Sequence, residues 1–365
     1  MKINDVINCL EDFAPLSLQE DYDNAGLIVG NPDDECKGII TALDVTADVV
    51  AESVKKGCNL IVAHHPIIFK GLKKLNGKNY VERTVIDAIK NNISIYAIHT
   101  NLDNVFKGVN QEIARKLGLE NLEVLSPKQN SLKKLVTFSP QKNAQEIRAA
   151  LFEMGTGSIG AYSECSFNVD GVGTFKAGEG ASPYVGKIGI RHSENETRIE
   201  VIFPSYLEQK IIKNLLAAHP YEEVAYDIYS VSNVHPGVGS GLIGEMPTSV
   251  SEEDLLLKLK TEFGLTIIRH TGFLHKKITK IALCGGAGSF LISTAKAAGA
   301  DAYITSDVKY HEFFDADNSI FLADIGHYES EQFTIDLLAE ILQQKFPNFA
   351  VLKTEIKTNP VNYYL

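Results

Sequence analysis

Two hydrophobic rhythms alternate along the chain. To about residue 126, short apolar runs rich in β-branched residues are separated by segments whose apolar residues recur every three or four positions. GLIVG, GIITALDVT, NLIVAHHP and SIYAIHT read as buried strands. ADVVAESVKKG, YVERTVIDAIKNN and GVNQEIARKLG read as amphipathic helices, the first stopped at Gly57 and the last at Gly118. Strands that alternate with helices predict a parallel sheet with helices packed on it. From about residue 234 the same style returns. EEDLLLKLKTEFG predicts a helix, KIALCGG a strand, SFLISTAKAAG a helix, AYITSDV and SIFLADIG strands, and QFTIDLLAEILQQKF a long helix. The expected fold class is α/β, with two similar α/β layers built from residues 1–126 and 234–365. MKINDVINCLEDFAP adds an N-terminal amphipathic helix stopped by Pro15.

The middle of the chain, 127–233, has another order. KKLVTFSP, AQEIRAALFEMG, SECSFNVDG, TRIEVIFPS, LEQKIIKNLLAAHP and VAYDIYSV give strand, helix, strand, strand, helix, strand. That is the order of a ferredoxin-like, split βαβ unit. Pro127 and SNVHPGVGSG bracket it with turn residues. We therefore expect an inserted ferredoxin-like domain in a discontinuous core, with GVGTFKAGEGASPYVG as an exposed loop.

A chain of 365 residues with 44% hydrophobic and 22% charged content suits two or three globular domains. A formal net charge of -11 argues against a dedicated nucleic-acid surface. Cys9, Cys36, Cys58, Cys165 and Cys284 are scattered, odd in number and never paired as CxxC, which fits a reducing compartment. The N-terminus lacks the apolar core of a signal peptide, and no stretch approaches the roughly 18 apolar residues that span a bilayer. A cytoplasmic protein without membrane partners is expected.

Chemistry concentrates where strands end. LIVAHHPIIF carries His64 and His65, IHTNLDN carries Asp103, and LADIGHYESE carries His327 and Glu331. Ligands of open α/β sheets bind at the carboxyl ends of strands, so these segments predict one converging metal site. Adjacent His64 and His65 point to opposite sides of an extended backbone, a poor fit to one ion and a good fit to two. His327 and Glu331, at i and i+4, share a helix face. Glu331 and Asp103 can each bridge two cations. Imidazoles with carboxylates suit two divalent ions such as Zn, Fe, Mn, Co or Ni rather than Ca or Mg. Few ligands per ion leaves room for water and substrate, as in a catalytic site. HxxxE alone is weak, and His99 reads as a structural residue or a partner to the ligands.

Other features are weaker. Ser306, Asp307, Lys309 and His311 follow a strand and could line the same crevice, with His311 or Asp307 as proton-transfer groups; a capped helix start is the alternative. CGGAGS could cradle a phosphate, but it lacks the P-loop lysine and reads better as a tight turn. His219, Glu222 and Glu223 could bind a ligand, though a helix end and solvated loop fits them better. GLKKLNGK reads as a mobile surface loop that could attract phosphates.

DYDNAGLIVG, IVAHHPIIFKGLKKL, YAIHTNLDN, CGGAGS, ITSDVKYHEFFDA and DIGHYESEQ together resemble the GTP cyclohydrolase 1 type 2 homolog family, the NGG-interacting-factor-three-like proteins. The resemblance covers about 1–126 and 234–365. It implies a dinuclear metal centre on His64, His65, Asp103, His327 and Glu331, and a toroidal homohexamer built as a trimer of dimers. It also implies a PII- and CutA-like insert, with HPYEEVAYD as its most recognisable stretch. The family name suggests hydrolytic opening of the GTP imidazole ring. The expected function is a metal-dependent hydrolase in which metal-activated water attacks a nucleotide or phosphate-containing small molecule. A non-catalytic metal-binding, regulatory or interaction scaffold is one alternative. A phosphoesterase or nuclease, needing basic residues such as Lys70, Lys73, Lys74 and Lys309 around the site, is another.

Overall fold

Apolar runs of four residues, buried on both faces, set the first sheet. A computed structural model describes residues 1–364 and divides the chain into two compact units, Met1–Pro127 with Pro236–Leu365, and Lys128–His235. The first unit begins with α1 (Ile3–Phe13), β1 (Gly26–Val29), β2 (Ile39–Ala42), α2 (Ala47–Lys55), β3 (Leu60–Ala63), α3 (Tyr80–Lys90), β4 (Ser94–Ala97), the short α4 (Thr100–Asp103), α5 (Val109–Leu117) and β5 (Glu120–Pro127). The second unit holds β6 (Leu132–Pro140), α6 (Ala144–Glu153), β7 (Phe167–Lys176), β8 (Arg191–Pro204), α7 (Glu208–Ala218) and β9 (Tyr226–Ser230). The first unit resumes with β10 (Gly239–Val250), α8 (Glu252–Phe263), β11 (Arg269–His270), β12 (Ile278–Ala287), α9 (Ile292–Ala297), β13 (Ala302–Ser306), β14 (Phe321–Asp324), the one-turn α10 (His327–Glu331), α11 (Thr334–Lys345) and β15 (Val351–Lys353).

The first unit is a mixed α/β fold with two sheets. One has the order β1-β4-β3-β2-β15, parallel except for β1. The other has the order β11-β14-β13-β12-β10-β5, parallel only along β12, β13 and β14. Alternation along β3 sends Leu60 and Val62 into a core shared with Leu283 and Ile304 of the second sheet. Ile61 and Ala63 go to a separate core under α2 and α3, with Val49, Val50, Val85 and Ala88. Burying such a side chain contributes roughly 1.5–3 kcal/mol, so β3 is anchored from both sides up to its last residue. The side chains that follow it start from a fixed point. Thr46 caps α2 and Asn79 caps α3, each accepting from a backbone amide three residues on.

Two strands that the hydrophobic pattern misses, β5 and β10, pair antiparallel, with Gly239 opposite Pro127. Their Gly, Pro and Glu residues hide the alternation. In the second unit all neighbours are antiparallel in the order β7-β8-β6-β9, and α6 and α7 pack through Ile147, Leu151, Ile211 and Leu215. GVGTFK, expected in a loop, completes β7. No helix among the described residues is long and apolar enough to cross a membrane.

Candidate metal centre

His64 and His65 continue β3, their amides donating to Ala42 and Leu43 carbonyls on the neighbouring chain segment. His64 keeps the inward direction of Leu60 and Val62 and is 0% exposed. Asp103 ends α4, the turn after β4. Gly326, at φ 89, opens α10, which carries His327 and Glu331 on one face.

The five side chains expected from the strand ends meet in the first unit. They form two groups, His64–Asp103–Glu331 and His65–His327–Glu331, whose nitrogen and oxygen atoms lie within 4.8 Å of one another in each group. Glu331 belongs to both, and its oxygens divide between them. Oε1 is 3.8 Å from His64 Nε2. Oε2 is 3.0 Å from His65 Nε2 and 3.1 Å from His327 Nε2. Asp103 Oδ1 lies 3.7 Å from His64 Nε2. Two ligand atoms on a tetrahedral ion sit roughly 3.4 Å apart, so these spacings suit ligands around a cation. Two of the atoms, His64 Nε2 and Asp103 Oδ1, are buried without any hydrogen-bond partner. Such atoms are rare and need an explanation.

Each histidine is held by its far nitrogen. His64 Nδ1 is 2.9 Å from the Ile98 carbonyl, His65 Nδ1 2.7 Å from Asp44, and His327 Nδ1 2.8 Å from Asp307. That leaves Nε2 of each ring pointing inward, the arrangement around metal-ligating histidines. Asp307 adopts φ 55 to reach His327, a left-handed conformation that Asp tolerates better than most residues.

Packed together without a cation, these groups perturb one another. Burial pushes His64 down to about 4. Burial also opposes charge on His65 and His327, but hydrogen bonds that His65 donates to Asp44 and Glu331 raise it to about 10, and those that His327 donates to Glu331 and Asp307 raise it to about 9. Burial and the charge of Glu331 lift Asp103 well above the carboxylate range. Glu331, despite burial, is held well below it by the three imidazoles. The imidazoles thus balance the buried carboxylate of Glu331, as a cation held there would.

Glycine makes room for Glu331. At Gly286, φ is +61, and a Cβ would meet Glu331 Oε1 at 2.3 Å. CGGAGS is therefore packing against the cluster. Its Gly285, Gly286 and Gly288 amides donate to Asn110, Ser330 and Thr305, so they are spent within the fold.

A cavity of about 1080 Å³ opens on the cluster, with His65, His99, Asp103 and Glu331 on its floor. Tyr22, Phe69, Tyr80 and Phe290 stand in its wall, and Lys70 is the one lysine there. His99 faces the cavity, held through Nδ1 by Asp23 at 2.7 Å. Asp23 also accepts from the Thr100 amide and hydroxyl. Asp23 and Asp44 carry no mark in the hydrophobic pattern that singled out the others, although Asp44 does follow the apolar run IITAL.

The weaker candidates are elsewhere. His311 is exposed and rests on the Tyr310 and Phe314 rings, apart from the cavity-lining residues. Ser306 donates to the Gly286 carbonyl, and Lys309 pairs with Glu312. His219 uses both ring nitrogens, on the Phe138 carbonyl and the Tyr221 amide, and Glu222 accepts from the Ser182 amide.

The chain matches the family model of Duf34/NIF3 (NGG1p interacting factor 3) over residues 1–360. It is 37% identical over 363 residues to a "GTP cyclohydrolase 1 type 2 homolog" of Halalkalibacterium halodurans, covering 98% of each chain. A protein of the same description from Bacillus subtilis is 35% identical over 364 residues, covering 98% of this chain and 97% of that one. The crystal structure of a Bacillus cereus protein related to NIF3 superposes with a TM-score of 0.87 at 36% identity, covering 100% of this chain and 99% of that one.

Proposed function

The chain belongs to the Duf34/NIF3 family, and from that premise and the site geometry we propose that it is a dinuclear metal-dependent hydrolase of nucleotide or phosphate-containing small molecules. His64, Asp103 and Glu331 would hold one divalent ion, and His65, His327 and Glu331 the other. The observation that carries this reading is the division of Glu331 between two ligand groups, together with the unpartnered His64 Nε2 and Asp103 Oδ1. The nitrogen and oxygen donors suit Zn, Fe, Mn, Co or Ni. Such a pair of ions supplies Lewis acidity and lowers the pKa of water.

The protein's own groups do the rest. Asp44 and Asp307 fix the rings of His65 and His327 so that their Nε2 atoms stay directed inward. Asp23 fixes His99 in the same way, which leaves His99 Nε2 to move a proton at the cavity floor. We assign proton transfer to His99 ahead of His311, and ring orientation to Asp307. The apolar and aromatic wall excludes water from a bound substrate. Of the four lysines expected around a phosphoesterase site, Lys70 alone lines the cavity, which favours the broader hydrolase reading over a nuclease.

We further read Lys128–His235 as a ferredoxin-like insert of the PII and CutA type, its strand order supporting that reading. We also expect the toroidal homohexamer, a trimer of dimers. The first test is elemental analysis of anaerobically purified protein, followed by hydrolysis assays on GTP and phosphate esters. About two ions per chain and turnover that chelation abolishes are expected. Near-zero metal after adding Zn, Mn or Fe would overturn the reading in favour of a non-catalytic scaffold.

A further inference from the structure

The cluster has a second mouth. A smaller cavity of about 450 Å³ also reaches His65 and His327; it shares Asp44 and Pro360 with the larger one and differs in the rest of its lining. Its wall carries the carboxylates of Asp44, Asp307, Asp324 and Glu329, none of which is in the ligand set assigned above. The larger cavity has a mostly apolar wall of Ile67, Phe69, Tyr80, Val81 and Phe290, with Glu20 and Asp44 as its carboxylates outside the ligand set. Arg269, the one arginine lining the smaller mouth, is already engaged: its guanidinium lies 3.3 Å from Asp324 and also donates to the Val308 carbonyl.

The segment Thr358–Tyr363 runs along this mouth, with Asn359, Pro360, Val361 and Tyr363 in its lining. Thr358 Oγ1 donates to Asp44 at 2.6 Å. Asn359 Nδ2 donates to Glu329 Oε1 at 3.1 Å, and the Tyr363 hydroxyl to the same oxygen at 3.4 Å. The segment has no regular secondary structure.

We propose that the acidic mouth is the route by which divalent cations reach and leave the centre, with Thr358–Tyr363 as the closure that sets the exchange rate. The route presupposes the metal reading above. Carboxylates lining a narrow passage focus the field and raise the local concentration of cations. A hydrated cation can trade water for carboxylate oxygen step by step, from Glu329 and Asp324 inward to Asp44 and Asp307, which already touch the two ligand rings. The larger cavity, mostly apolar apart from Glu20 and Asp44, offers fewer such steps, and stripping water from an ion against its wall is costly. A segment held by few hydrogen bonds opens locally far more readily than the fold unfolds. Metal exchange and substrate occupancy thereby use separate doors.

The test uses the full chain, stripped of metal and reloaded with Co²⁺. Uptake is followed by the cobalt absorption bands and release by transfer to excess EDTA. The double variant Asn359→Ala with Tyr363→Phe frees the segment from Glu329 and leaves the Thr358–Asp44–His65 chain intact. Uptake and release should both accelerate by about tenfold, the effect of losing hydrogen bonds of ordinary strength. Equilibrium affinity should not change, because a closure alters passage equally in both directions. Tyr80→Ala, in the wall of the larger cavity, should leave both rates at the wild-type value. Unchanged rates in the double variant, faster release alone with weakened affinity, or acceleration by Tyr80→Ala would each overturn the route. Failure of the wild-type chain to take up cobalt would overturn the metal reading itself, a separate result.

Discussion

Glu331 reaches two sets of imidazoles only because Gly286 leaves the space beside it empty. A methyl group there would stand 2.3 Å from Oε1 on a backbone at φ +61, so Gly286→Ala should displace the carboxylate and strain the strand end. We expect that variant to retain at most one metal ion per chain by elemental analysis, with a lowered Tm. Glu331→Gln removes the shared charge while keeping the shape. It should lose at least one ion and all turnover while its far-ultraviolet circular dichroism stays that of the wild type; full metal content would exclude the shared role. His311→Ala, away from the cavity, should change neither metal content nor turnover, whereas His99→Ala should slow turnover at full metal content. At this scale the sequence showed a great deal. His64, His65, Asp103, His327 and Glu331 all stand where an apolar run breaks, and the structure brings all five together. Asp23 lies in the polar stretch DYDN with its partner His99 76 residues away. No local pattern marks such a residue, because what places it is a contact made only in the folded chain.

Alternation within one strand explains why two neighbouring histidines serve two groups. β3 sends successive side chains into different cores, and the pattern carries on into His64 and His65. The element that brings Asp103 to them is the short turn α4, whose first amide, that of Thr100, donates to Asp23. Burial favours the neutral acid, yet hydrogen bonds from His99 and Thr100 hold Asp23 down to about 2 against its ordinary 3.8. A carboxyl depressed in the fold stabilises it fully above the unfolded value and loses that contribution as pH falls through the folded one. Thermal melts should therefore show stability declining from about pH 4 towards pH 2, and Asp23→Asn should flatten that limb. At pH 7 the same substitution should lower Tm by roughly 3 °C. Elements with a strong rhythm were legible in the sequence. β5 and β10 were not, since each becomes a strand by pairing with the other across more than a hundred residues of intervening chain.

The pairing of Gly239 with Pro127 places the two ends of the Lys128–His235 excursion side by side in one ladder. Replacing that excursion with a tight turn should therefore leave a folded core with its full metal content, checked by calorimetry and elemental analysis; an insoluble product would argue that the core needs its second unit. In the intact chain, chelation should lower the melting transition of the core and leave that of Lys128–His235 in place, since a ligand stabilises only what binds it. Sequence rhythm does not reveal how the second sheet mixes parallel and antiparallel neighbours, which depends on β10 and β5. The separation of the cluster's members along the chain has a consequence for biosynthesis. His65 and Glu331 are 266 residues apart. At about 5–20 residues per second, a ribosome needs on the order of tens of seconds to travel between them. Through most of that interval the nascent chain holds His64, His65 and Asp103 but lacks His327 and Glu331, so on the proposed two-ion reading a chain stalled before α10 should not capture the full pair of ions.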